Sequence, residues 1–138
     1  MGGPALIVLD THALLWWQAG SERLSRPARS RIEAADRILV SPISLWEIAL
    51  LVGKGRFELD RNVFVWSTDL LAQDRLELAP VTPTAAVGAG LLPADGFEGD
   101  PADCMIYATA RELMAALVTK DDRIHRYAAA ARGMRIVW

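Results

Sequence analysis

The chain has 138 residues, 52% of them hydrophobic, with 15 basic and 17 acidic side chains and a formal net charge of −2. That length suits one domain over residues 1–138 with a substantial core, and bulk charge alone does not announce a nucleic-acid partner. No apolar run approaches the roughly 18 to 20 residues that span a bilayer, and the single Cys104 excludes an internal disulfide.

The N-terminal Met1-Gly2-Gly3-Pro4 has no basic region ahead of its apolar run, so no signal peptide is expected and the setting reads as reducing and cytoplasmic. Ala5-Leu6-Ile7-Val8-Leu9 is a continuous apolar run that predicts a strand over 5–10, buried on both faces and ended by Asp10. In open α/β sheets ligands bind at that end of a strand. Asp10 equally fits the N-cap of the helix predicted over 12–18. Within that helix Trp16 and Trp17 point about 100° apart, so one is expected in the core and the other exposed. A helix over about 25–35 and a strand over 37–40 follow.

The next helix, 42–53, is apolar nearly all round from Ile43 to Val52, so burial on most sides is expected. Glu47 lies within it, and a buried carboxylate is expensive unless paired, protonated or coordinated to a metal. Ser44-x-x-Glu47 also fits a capping box, which would explain Glu47 locally. A turn at Gly53-Lys54-Gly55, a helix over 61–74, a strand over 76–80 and a helix over 83–91 lead to the Pro/Gly-rich piece 92–99, the expected mobile segment.

Asp100-Pro101-Ala102-Asp103 opens a helix over 101–114, with Asp100 as N-cap and proline at the first helical position. Asp103 then falls in the first turn and is expected to project from the helix instead of closing it. A short apolar strand over 115–119 runs into Lys120-Asp121-Asp122, where Thr119-x-x-Asp122 fits a capping pair and leaves Asp121 over. A helix over 121–131 and a strand over 134–137 complete the order. Alternating buried strands and helices predict a mostly parallel central sheet flanked by helices on both faces.

Asp10, Glu47, Asp103 and Asp121 therefore form a candidate acidic site, three of them at strand ends or first helical turns along one sheet edge. Like charges packed together raise one another's pKa unless a cation neutralises them, and oxygen ligands without thiolate or imidazole select Mg²⁺ or Mn²⁺. With only His12 and His125 beside Cys104, a Cys/His zinc site is not expected. Thr11, Ser44 and Thr119 neighbour three of the acids and suit the orientation of carboxylates or water. Thirteen of the 15 basic residues are arginine, which suits phosphate, although clusters such as Lys120/Arg123/Arg126 also read as solvated helix faces.

Leu9-Asp10-Thr11-His12-Ala13-Leu14-Leu15-Trp16, Ser44-Leu45-Trp46-Glu47-Ile48-Ala49, Asp100-Pro101-Ala102-Asp103 followed by Met105-Ile106-Tyr107-Ala108-Thr109-Ala110, and Val118-Thr119-Lys120-Asp121 stand in the order and spacing of a PIN domain. More narrowly, they resemble the VapC-type toxins of bacterial toxin–antitoxin systems. The resemblance spans almost the whole chain. It implies a three-layer α/β/α fold, an endoribonuclease using Mg²⁺ or Mn²⁺, a homodimer, and a cognate antitoxin that covers the acidic groove. It carries Asp10, Glu47, Asp103 and Asp121 over as the metal-binding positions, with Asp100 as a further candidate. Many relatives have arginine after the Asp-Pro-x-Asp motif, where this chain has Cys104. Two other readings stay open at this point: a receiver-like Mg²⁺-dependent phosphoacceptor, and a catalytically silent protein-binding module whose acids are all caps.

Overall fold

A computed structural model describes residues 5–138. Met1–Pro4, on which the signal-peptide expectation rests, lies outside the described residues. The strands are β1 (Leu6–Leu9), β2 (Arg37–Val40), β3 (Leu76–Leu78), β4 (Ala116–Val118) and β5 (Ile136–Val137). The helices are α1 (Thr11–Gln18), α2 (Arg26–Ala34), α3 (Pro42–Gly53), α4 (Val63–Leu71), α5 (Pro83–Leu91), α6 (Pro101–Glu112) and α7 (Asp122–Ala131). The strands form one sheet in the order β3-β2-β1-β4-β5, with every pairing parallel.

Strand alternation divides the core in two. Ile7, Leu9, Ile38, Val40 and Val118 face a cluster shared with Leu14, Ile32, Ile48, Trp66 and Leu70 of the first four helices. Val8, Leu39 and Leu117 face the opposite cluster, with Ala85, Ile106, Tyr107 and Ile124 of the last three. The result is the expected α/β/α sandwich.

β1 pairs with β2 on one side and β4 on the other, so the strand order reverses at β1. A crevice forms outside the carboxyl ends of strands at such a reversal. Asp10 follows β1, Ser41 follows β2 and Thr119 follows β4, which brings three chain segments to one edge.

Three expectations about packing need correction. α3 is not buried on most sides: Ser44 and Ile48 are buried, whereas Trp46 is 58% and Leu50 40% exposed. The helix packs through one stripe and presents an apolar outer face. Trp16 and Trp17 do not divide between core and solvent; both are half-buried against the first cluster, and Trp16 also meets His12 and Trp138. The 92–99 segment is anchored, since Phe97 is buried against Tyr107 and Tyr127, and the Glu98 carbonyl accepts a hydrogen bond from Arg123 Nη1 at 3.1 Å. Burying the Phe97 side chain contributes roughly 1.5 to 3 kcal/mol to these contacts.

Candidate active site

Helix starts build the site. Asp10 caps α1, its Oδ1 accepting the Ala13 N–H at 2.8 Å. Glu47 projects from α3 and accepts a hydrogen bond from the buried Thr11 hydroxyl, which also lies 3.0 Å from Ser44 Oγ. The capping-box alternative for Glu47 fails, because the N-cap of α3 is Ser41, whose Oγ accepts the Ile43 N–H at 3.1 Å. Ser44 sits one turn inside.

Asp100 and Asp103 close α6 together. Asp100 Oδ1 accepts the Asp103 N–H at 2.8 Å and Asp103 Oδ2 accepts the Asp100 N–H at 3.1 Å. The expectation that Asp103 projects without closing the helix is thus wrong in part, since one of its oxygens completes a reciprocal cap. The capping of α7 also differs: Asp121, not Thr119, is the N-cap, accepting the Arg123 N–H at 2.9 Å. Thr119 turns back instead, its Oγ1 accepting the Asp121 N–H at 3.1 Å.

All four predicted acids, with Asp100, line one open cavity of about 500 Å³. Its remaining wall includes Arg23, Lys120, Arg123 and Trp16. Burial raises the Asp10 carboxyl above the usual range, against hydrogen bonds from the Thr119 side chain and the Ala13 backbone. Burial likewise raises Glu47, with the Asp100 and Asp10 charges adding to it and the Thr11 hydrogen bond opposing. Asp103 is pushed up to about 7, by burial first and then by the Asp100 charge, with Asp121 and Glu47 adding to it. Asp121 goes the other way, because the Arg123 guanidinium holds it below the ordinary carboxylate range.

Sequence reading placed Arg123 in a basic cluster but did not bring it to the acids. Its Nη2 lies 2.7 Å from Asp121 Oδ2 and 3.9 Å from Asp103 Oδ2, and its Nε donates to Asp121 Oδ1 at 3.1 Å. The signal was its position: a cation in the first turn of a helix opposes the helix dipole and calls for a local anion. Among the described residues no three Asp, Glu, His or Cys side chains stand close enough to cage an ion as they lie, since several of these carboxylates are turned toward backbone N–H groups and Arg123. Their chemistry nonetheless fits a hard divalent cation. Three half-buried carboxylates whose charge is raised in energy by burial and by one another would be stabilised by a positive ion between them.

A sequence model of the PIN domain family matches residues 7–130. The chain belongs to the PIN domain family. It is 42% identical over 123 residues to Ribonuclease VapC22 of Mycobacterium tuberculosis (strain ATCC 25618 / H37Rv), a match covering 88% of this chain and 92% of that protein. The PIN fold is also seen in solved structures. The DNA-bound VapBC crystal structure from Salmonella typhimurium superposes with a TM-score of 0.67 at 23% identity, covering 96% of each chain. VapBC-5 from Mycobacterium tuberculosis does so at 0.61 and 22% identity, covering 96% of this chain and 98% of that one. Membership of the PIN family sets aside the receiver-like reading. Among the described residues no helix is long and apolar enough to cross a membrane.

Proposed function

We propose that this PIN domain is a metal-dependent endoribonuclease, the toxin of a toxin–antitoxin pair, and that Asp10, Glu47, Asp103 and Asp121 hold its Mg²⁺ or Mn²⁺. The observation that carries this reading is the convergence of four acids from four separate segments on one cavity at the sheet's reversal point, with three of their pKa values raised. A 42% identical relative that is named a ribonuclease supports the same chemistry. Capping accounts for one oxygen each of Asp10, Asp103 and Asp121, but Glu47 caps nothing, so the silent-module reading leaves it unexplained.

When bound, the divalent ion supplies a more acidic water and neutralises charge developing on the phosphodiester. The rest belongs to this chain. Thr11 fixes Glu47, and Thr119 supports both Asp10 and the Asp121 backbone. Arg23 and Lys120 on the cavity wall attract the RNA backbone, so binding weakens as salt rises. The fully charged cluster is costly without a cation, which ties catalysis to metal loading.

The VapBC likenesses support a cognate antitoxin as partner, and the exposed apolar face of α3 suits a homodimer or that antitoxin. We place the protein in the cytoplasm as a single nuclease domain. The test is cleavage of a mixed RNA pool by antitoxin-free protein. Cutting should require Mg²⁺ or Mn²⁺, stop with EDTA and be lost in Asp10→Asn. Cutting that persists in EDTA and in the variant overturns the proposal.

A further inference from the structure

The cavity holds five carboxylates, Asp10, Glu47, Asp100, Asp103 and Asp121, against three permanent cations, Arg23, Lys120 and Arg123. Of these cations, Arg123 is the one ion-paired to the acids among the described residues. Lys120 instead places its Nζ 5.8 Å from the centre of the Trp16 ring. Arg123 grips Asp121 through two nitrogens, Nε and Nη2, which is the two-pronged geometry that a guanidinium also offers to a phosphate. Its side chain is 46% exposed, which leaves room to turn, and turning also releases the bond from its Nη1 to the Glu98 carbonyl at 3.1 Å.

Resting on the ribonuclease reading, we propose that Arg123 is a phosphate-positioning residue that exchanges partners: it holds Asp121 and Asp103 before metal loading and turns to the RNA phosphate afterwards. Two forces drive the exchange. A divalent ion on Asp121 and Asp103 neutralises the anions that hold the guanidinium and repels it directly. The α7 N-terminus also disfavours a cation in its first turn once the counter-charge is taken. The nearest large anion is then the bound RNA backbone. Arg123 thus competes with the ion for its ligands and assists the ion's reaction, two effects of opposite sign on one side chain.

The test is Mn²⁺ titration calorimetry without RNA, alongside the rate of RNA-pool cleavage at saturating Mn²⁺, for the full chain, Arg123→Ala and Arg123→Lys. The alanine variant should bind Mn²⁺ about tenfold more tightly, because a charge-assisted competitor is gone. It should cut RNA about 100-fold more slowly, the scale on which a preorganised transition-state donor acts. The lysine variant, which keeps the charge without the fork, should fall between on both readouts and covers the case in which alanine does not fold. Unchanged or weaker Mn²⁺ binding overturns the exchange, and tighter binding with undiminished cutting overturns the phosphate role. No Mn²⁺ binding by the parent chain overturns the metal site itself, and this role with it.

Discussion

Asp103 shows how far a carboxyl can be displaced by its neighbours. Its value of about 7 exceeds the ordinary 3.8, so between those limits the folded protein holds more protons than the unfolded chain. Stability therefore falls as pH rises through that window, and the raised Asp10 and Glu47 act in the same direction. Asp121, shifted downward, contributes stability that is present above its unfolded value and is lost only in stronger acid. In EDTA the melting temperature should be higher near pH 5.5 than near pH 8, and Asp103→Asn should flatten that slope; a slope unchanged in the variant would count against this origin. All four acids were legible in the sequence, because each stood where a cap or a core position did not fully explain it. The two-residue shift that makes Asp121 the cap, and the reach of Arg123 to it, were not. Thr119 and Asp121 are both good N-cap residues, so residue type alone does not choose between them.

At the level of elements, the first turn of α6 depends on Gly99. A Cβ there would collide with the Phe97 ring and stand 2.7 Å from Asp103 Cβ, so Gly99→Ala must push Asp103 or Phe97 away. Such overpacking costs about 1 to 3 kcal/mol, and cleavage should fall further than a melt of the same variant accounts for. Thr11→Val is the matching test on α1: Glu47 loses its hydroxyl donor, with an expected cost of about 1 to 3 kcal/mol by denaturant unfolding and a drop in activity. Element order and most boundaries followed from apolar periodicity and from Pro or Ser/Asp/Asn starts, as at Pro42 and Pro101. Periodicity failed at α3, where an all-apolar helix reads the same whether its outer side meets the core or a partner. It also gave no sign that a single Phe97 would anchor the 92–99 loop.

Across the whole molecule, the exposed Trp46 and Leu50 flank an apolar cavity of about 290 Å³ that shares Thr11, His12, Glu47 and Asp100 with the acidic one. Phe64 on α4 is 79% exposed. We propose that the contiguous part of this open apolar surface, around Trp46 and Leu50, is an interface. Sedimentation should show association at micromolar concentration, reduced by Trp46→Glu; a concentration-independent monomer would refute self-association through this face. The central claim is that the acids form a metal site and are not only helix caps, and Glu47 tests it most directly because it caps nothing. Mn²⁺ affinity should be measured for Glu47→Gln beside its melting temperature in EDTA. The account predicts affinity weakened by at least about tenfold with the metal-free fold as stable as before or more so, since relieved repulsion offsets the altered Thr11 contact. Unchanged Mn²⁺ affinity with a less stable fold would contradict it.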